Sequence, residues 1–205
     1  MENINIVYVD DSPDIYLNFF LQSYYNKDEI NYSSIIFGQD DSYKTLLENQ
    51  AIRNANVVII DSRLFENRGV GAVFSGEEFK LILKKIFPYI EVIVISQKAI
   101  GEDFQTIEKY DLEADVSDVD DIQKSAFDFY SREIIPLINK KIQNVIEFRK
   151  ILERIQNEKI EIDKYLVENI ENSIKGTGEY DQLSSEDLDK VIKEFQMFVS
   201  KIEKE

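Results

Sequence analysis

Three short, mainly apolar runs organise the chain, and each leads directly into side chains that carry oxygen. The runs cover residues 4–9, 57–60 and 92–95, and they lead into Asp10-Asp11, Asp61 and Ser96. Because such runs are too short for helices and apolar on both faces, they are typical of central strands in a parallel sheet. The carboxyl ends of parallel strands share one edge of the sheet, where α/β folds bind their ligands. The pattern therefore predicts a single cation or phosphoryl site at that edge.

Helical patterns alternate with strands along the first 120 residues. Ser12 and Pro13 fit the start of the first helix, as its N-cap and its first-turn residue. The alternation predicts an α/β domain in which right-handed crossovers join parallel strands. Besides the three runs, the pattern predicts strands over residues 30–37 and 112–119, and helices over residues 15–25, 41–51, 77–87 and 102–110. A loop over residues 62–76, with three glycines, follows the strand that ends in Asp61.

From residue 121 onward the apolar residues recur at three- and four-residue steps, which is typical of helices. Pro136 is expected to kink this stretch or divide it in two. We predict a domain over residues 1–138 and a helical C-terminal extension over residues 139–205. The apolar stripe of the extension needs a further surface, either the predicted last helix at residues 188–202 or a second copy of the chain.

The composition excludes several kinds of chemistry. The chain has no cysteine and no histidine, which removes disulfides, thiolate catalysis, imidazole metal ligands and Ser-His-Asp triads. The formal net charge of −16 argues against nucleic acid as a partner, since affinity for phosphate backbones comes mainly from Lys and Arg. No apolar run reaches the roughly 20 residues that span a bilayer. We therefore expect a soluble, cytoplasmic protein with no membrane partner.

The predicted site suits magnesium and phosphoryl chemistry. Two adjacent carboxylates, Asp10 and Asp11, and a third from the neighbouring strand, Asp61, supply the oxygen ligands that Mg²⁺ prefers. Asp61 is a candidate nucleophile that would form an aspartyl phosphate. The hydroxyl of Ser96 is a candidate hydrogen-bond donor to a phosphoryl oxygen. The simpler alternative is that Asp10 and Asp11 only cap the helix that follows them.

At these residues the sequence resembles the receiver domain of two-component response regulators. Residues 6–11 (Ile-Val-Tyr-Val-Asp-Asp) resemble its first strand and acidic pair, residues 57–64 its phosphoacceptor strand and turn, and residues 93–96 the strand that ends in its switch Ser or Thr. The resemblance implies a flavodoxin-like, doubly wound, parallel five-stranded sheet. It also implies that Asp10, Asp11, Asp61 and the backbone carbonyl of Arg63 hold Mg²⁺, that a histidine kinase phosphorylates Asp61, and that Ser96 reports the phosphate.

The resemblance has one departure that bears on function. The family usually carries a lysine at the end of the fifth strand, but residues 113–120, where we place that strand, contain no lysine. Lys98 is a candidate substitute, and Gln97 stands where the family has a small residue. The first hypothesis is an atypical, non-enzymatic response regulator that switches a protein–protein contact, with a homodimer through the C-terminal helices left open. The alternatives are a phosphorylation-independent scaffold and, third, a Mg²⁺-dependent phosphohydrolase.

Overall fold

The computed structural model describes residues 3–27, 29–64, 75–96, 106–111 and 119–157. Among these residues no helix is both long enough and apolar enough to cross a lipid bilayer. The strands are β1 (Ile4–Asp10), β2 (Ile30–Ile36), β3 (Val57–Asp61), β4 (Glu91–Ser96) and β5 (Thr106–Glu108). The helices are α1 (Ile15–Tyr25), α2 (Tyr43–Glu48), α3 (Gln50–Arg53), α4 (Gly76–Ile86), α5 (Val119–Glu133) and α6 (Ile135–Asn157).

The five strands form one parallel sheet in the order β2-β1-β3-β4-β5. This is the flavodoxin-like order, so the predicted doubly wound fold is confirmed. The chain builds outward from β1 to β2 in one direction and through β3 to β5 in the other. The strand order thus reverses between β1 and β3, which places the crevice of the fold between the ends of these two strands.

The alternation of side chains in β3 divides the core into two layers, one on each face of the sheet. Val58 and Ile60 pack in a cluster with the residues of α2, α3 and α4, whereas Val57 and Ile59 pack in a second cluster with α1, α5 and α6. Every residue of β3 is buried. A strand covered on both faces must be apolar throughout, and this explains why the sequence predicts it so clearly.

The predicted break at Pro136 is confirmed. Helix α5 ends at Glu133, Ile134 forms a turn, and α6 begins at Ile135. Proline has no N–H to give to the preceding turn, so the hydrogen-bond ladder is interrupted there.

Helix α6 then continues through residue 138 without a break and packs on the sheet. Its residues Ile138, Ile142 and Val145 are buried in the same cluster as Ile6 and Ile93. The predicted division of the chain at residue 138 stays a prediction, and the predicted last helix at residues 188–202 lies outside the described residues.

The fifth strand does not lie where the sequence pattern placed it. Residues 106–108, predicted as helix, form β5 and pair with β4 in the register Val94↔Thr106 and Ser96↔Glu108. Val119, predicted as the end of that strand, begins α5 instead, and residues 112–118 lie outside the described residues. The error arises because β5 has only three residues, and its strand conformation comes from pairing with β4 rather than from its own composition.

Two local predictions also need correction. The N-cap of α1 is Asp14 rather than Ser12, because the Asp14 carboxylate accepts the backbone N–H of Leu17 at 2.8 Å. The predicted helix over residues 41–51 is divided into α2 and α3 at Asn49. The side chain of Asn49 accepts the N–H of Ala51, which starts a new helix at the position where α2 ends.

Candidate functional site

The three predicted carboxylates meet at the carboxyl edge of the sheet. Asp10 is the last residue of β1, Asp61 is the last residue of β3, and Asp11 begins the turn that leads to α1. One oxygen from each carboxylate lies within 4.8 Å of one from each of the others. Because β1 and β3 are neighbours at the point where the strand order reverses, the topology itself brings these residues together.

A lysine that the sequence analysis missed lies between two of these carboxylates. Lys109 directly follows β5, and its Nζ is 2.8 Å from Asp10 Oδ2 and 2.6 Å from Asp61 Oδ1. All three side chains are buried, with exposed fractions of 8% for Lys109, 1% for Asp10 and 7% for Asp61. The expectation that the fifth strand ends without a lysine is therefore wrong, because that strand ends eleven residues earlier than predicted, at Glu108 rather than Val119. Lys98, the proposed substitute, and Gln97 lie outside the described residues.

Burial and charge act in opposite directions on this ion pair. Burial raises the pKa of Asp61, and the neighbouring Asp10 carboxylate raises it further, although Lys109 opposes both effects. Burial alone would lower the pKa of Lys109, but the attraction of Asp10 and Asp61 outweighs it, so the pKa of Lys109 is raised. Lys109 therefore stays protonated as a buried cation between the two carboxylates.

Asp10 and Asp11 are held in different ways, although they are adjacent in sequence. Asp10 Oδ2 accepts the hydroxyl of Tyr8 at 2.5 Å in addition to Lys109, and Asp10 Oδ1 accepts the backbone N–H of Ser12 at 2.9 Å. Within the described part of the chain, the side chain of Asp11 makes no hydrogen bond or ion pair. The carboxylate of Asp10 is thus fixed, while Asp11, which is half-buried, has both oxygens available for a ligand.

The turn after Asp61 is packed tightly against the start of α4. Asp61 Oδ2 accepts the backbone N–H of Arg63 at 2.8 Å, and the Ser62 carbonyl accepts the N–H of Gly76 at 2.7 Å. A Cβ atom at Gly76 would lie 2.3 Å from the carbonyl oxygen of Asp61, so only glycine permits this approach. The predicted role of the Arg63 carbonyl as a metal ligand stays a prediction.

Ser96 lies at the same edge, as the last residue of β4, and is fully buried. Its backbone carbonyl accepts the N–H of Lys109 at 2.6 Å, which connects the end of β4 to the residue that bears the ammonium group. The predicted role of its hydroxyl as a phosphate sensor stays a prediction.

Known proteins are only distantly similar to this chain. No family model matches the chain, and no curated protein matches it. The chain is similar to the solved RcsB response regulator of Salmonella typhimurium, described for its conformational dynamism in DNA interaction, at 17% identity, with 85% of this chain and 91% of that chain covered and a TM-score of 0.38. It is also similar to RcsB from Salmonella enterica serovar Typhimurium bound to promoter P1flhDC in the presence of phosphomimetic BeF3⁻, at 15% identity, with coverage of 91% and 96% and a TM-score of 0.38.

The fold is receiver-like. The chain has the parallel strand order of such a fold, and its acidic cluster lies at the strand ends, where the resemblance predicted it. The buried lysine after β5 adds the group that the sequence analysis had expected to be absent.

The pocket has the ligands and the charge that fit a magnesium ion. Mg²⁺ prefers carboxylate oxygens and keeps several waters, so it needs only one or two protein carboxylates. Three carboxylates and one ammonium group leave two formal negative charges in the pocket, which a divalent cation would neutralise. Asp10, Asp11 and Asp61 would hold the ion, directly or through its bound waters.

Two residues of the pocket, Lys109 and Tyr8, escaped the sequence analysis for different reasons. Lys109 follows a strand of three residues whose only local sign is the β-branched pair Thr106-Ile107. Tyr8 was counted as one apolar residue within β1, although a tyrosine near the end of a buried strand carries a hydroxyl that needs a partner. A tyrosine in a predicted buried strand, two residues before an aspartate of a predicted site, indicates from the sequence alone a candidate hydrogen bond between the two side chains.

Proposed function

We propose that this protein accepts a phosphoryl group on Asp61 in a Mg²⁺-dependent reaction and thereby switches a protein–protein contact. The observation that carries the proposal is the buried Lys109 ammonium group, which lies 2.6 Å from Asp61 Oδ1 and 2.8 Å from Asp10 Oδ2. A lysine in this position neutralises negative charge where a phosphoryl group would arrive. Phosphoryl transfer depends mainly on positioning and on such charge stabilisation.

In the proposed reaction an oxygen of Asp61 forms a bond to phosphorus while the bond between phosphorus and the donor breaks, and the electron pair of that bond leaves with the donor. The Arg63 N–H and Lys109 hold the two oxygens of the Asp61 carboxylate and so orient it for attack. Bound Mg²⁺ would supply further neutralisation of the phosphoryl oxygens. Because this chain has no histidine, a phosphohistidine donor would belong to a separate histidine kinase.

The proposed output is a contact with a protein partner. Ser96 is buried at the end of β4, where its hydroxyl would bond a phosphoryl oxygen on Asp61 and draw the β4 end toward the pocket. The backbone N–H of Lys109 donates a hydrogen bond to the Ser96 carbonyl, so a movement of Ser96 would also move the residues that follow β5. We propose no enzymatic turnover and no nucleic-acid partner for this chain, and a homodimer through the C-terminal helices stays part of the hypothesis.

The alternative of a phosphorylation-independent scaffold rested on the expected absence of the fifth-strand lysine and on Gln97, which lies outside the described residues. Lys109 removes the first of these arguments, since its ammonium group contacts both Asp10 and Asp61. The phosphoacceptor hypothesis is therefore the one that the geometry supports best.

The direct test is intact-mass spectrometry after incubation with Mg²⁺ and acetyl phosphate. The wild type should gain the mass of one phosphoryl group, whereas Asp61→Asn and the wild type in excess chelator should gain none. Asp128→Asn is the matched control, because Asp128 is an exposed carboxylate on α5, and it should react like the wild type. An unmodified wild type, or an equal gain in Asp61→Asn, would refute the proposal.

A further inference from the structure

Two buried tyrosine hydroxyls connect the acidic pocket to α1 and α5. Tyr8, in β1, donates its hydroxyl hydrogen to Asp10 Oδ2 and accepts the backbone N–H of Asp14 at 3.4 Å. Tyr130, in α5, donates to Asp14 Oδ2 at 3.3 Å and accepts the backbone N–H of Tyr110 at 3.1 Å. Asp14 is also the N-cap of α1. A continuous set of hydrogen bonds thus runs from the pocket to a helix start and to a second helix.

The hydroxyl of Tyr8 is not needed to fill the core. Its exposed fraction is 0%, and its ring packs in an apolar cluster, where phenylalanine would occupy the same volume without burying a polar group. A buried hydroxyl costs free energy unless its hydrogen bonds are made. Tyr8 and Tyr130 each use their hydroxyl once as donor and once as acceptor, which is the arrangement that satisfies it.

Tyr8 and Lys109 both donate a hydrogen bond to Asp10 Oδ2, but only Lys109 also contacts Asp61. Lys109 contacts both Asp10 and Asp61, so it is shared between two carboxylates and would turn toward a phosphoryl group on Asp61. Among the described residues, the hydroxyl of Tyr8 is hydrogen-bonded to Asp10 and not to Asp61. Its hydroxyl would therefore hold Asp10 in place in every state of the pocket.

We propose that Tyr8 is a positioning residue: it fixes the Asp10 carboxylate in the orientation that the cation site needs, and it links that site to α1 and α5 through Asp14 and Tyr130. The link to a bound cation rests on the proposed function. The hydrogen bond between Tyr8 and Asp10 joins two side chains of the chain itself, so it is testable in metal-free, unphosphorylated protein.

The first experiment is a double-mutant cycle in metal-free protein, with Tyr8→Phe, Asp10→Asn and the double variant compared by urea unfolding. If Tyr8 holds the Asp10 carboxylate, the loss in the double variant will be smaller than the sum of the two single losses. Additive losses would overturn the inference, whatever the protein does with Mg²⁺ or phosphate.

The second experiment measures Mg²⁺ affinity by calorimetry. Tyr8→Phe should bind Mg²⁺ about 10- to 100-fold more weakly, which is the usual effect of removing a group that orients a metal ligand. Tyr25→Phe is the matched control: Tyr25 is also buried, and its hydroxyl donates to Asn139 Oδ1 at 3.0 Å rather than to one of the three carboxylates. Equal affinities for Tyr8→Phe and Tyr25→Phe would overturn the positioning role. A wild type that binds no Mg²⁺ would refute the proposed function, and the metal-free cycle would then decide the inference.

The link to α5 has its own readout in the ring NMR signals of Tyr130. In the wild type these signals should shift when Mg²⁺ binds, and in Tyr8→Phe at saturating Mg²⁺ they should not. A shift of equal size in both proteins would overturn the link through Tyr8.

Discussion

Replacing Lys109 by methionine, which has a similar length and no charge, isolates the contribution of the buried cation. At an effective dielectric constant of about 20, contacts of 2.6 and 2.8 Å each correspond to about 6 kcal/mol of attraction before desolvation is subtracted. Removing one partner from a buried ion pair typically costs about 3–5 kcal/mol, because the remaining charges stay buried. We expect Lys109→Met to lose about this amount of unfolding free energy in metal-free protein, since Asp10 and Asp61 would then face each other without a counter-ion.

The matched control is Lys141→Met. Lys141 Nζ lies 2.7 Å from Glu91 Oε2, so the contact is as short, but the two side chains are 22% and 18% exposed. Solvent screens such a pair, and we expect a loss of about 1 kcal/mol or less. Urea unfolding of both variants at low salt gives the comparison. Equal losses in Lys109→Met and Lys141→Met would refute the view that Lys109 neutralises a buried acidic pocket.

Magnesium provides a second arm of the same experiment. A divalent cation bound by the carboxylates would replace the charge that Lys109→Met removes, so Mg²⁺ should stabilise the variant more than the wild type. A concentration of one hundred times Kd would add about 2.7 kcal/mol to the unfolding free energy. An equal increase for both proteins would show that Lys109 does not share its charge with the metal site.

Three further predictions concern the surroundings of the pocket. Gly76→Ala should lose about 1–3 kcal/mol in urea unfolding because its Cβ would meet backbone, whereas Gly38→Ala, whose Cβ would meet only a side-chain oxygen at 3.3 Å, should lose less than half as much. Asp14→Ala should cost about 0.5–2 kcal/mol through loss of the α1 cap, measured by thermal or urea unfolding. Burial raises the pKa of Glu91, but Lys141 outweighs this effect and the pKa is lowered on folding. The wild type should therefore be more stable than Lys141→Met above the unfolded pKa of about 4.3. This advantage should disappear as the pH falls through the lower pKa of the folded state. An advantage that is constant with pH would contradict the last prediction.

The strands that build the site were predictable because the fold buries them on both faces. β1, β3 and β4 must be apolar nearly throughout, and the change to Asp10, Asp61 or Ser96 marks the end of each strand in the sequence. Parallel pairing of neighbouring strands then brings these ends to one edge. The acidic cluster therefore follows from local patterns and general topology, without knowledge of any particular contact.

β5 and Lys109 were not predictable in this way. The strand lies at the edge of the sheet and has only three residues. Three residues are too few to show the alternation of apolar and polar side chains that identifies a strand. Its conformation depends on the backbone bonds to β4, among them the bond from Lys109 N to Ser96 O. We predicted a helix over the same residues because the sequence shows only their local conformational preference and not their pairing with β4.

The carboxylates of the site can therefore be predicted from the sequence, whereas the side chains that distinguish a scaffold from a phosphoacceptor cannot. The carboxylates alone give a pocket with three negative charges, which by itself fits a cation-binding scaffold as well as a phosphoacceptor. The ammonium group of Lys109 favours the phosphoacceptor, because it would leave positive charge beside Asp61 while the carboxylates hold a divalent cation. The hydroxyl of Tyr8 donates a hydrogen bond to Asp10, and by our proposal it holds that carboxylate in the orientation the cation site needs. The choice between scaffold and switch thus depends on two side chains whose roles emerge only from tertiary contacts, and these are the side chains whose substitution tests it most directly.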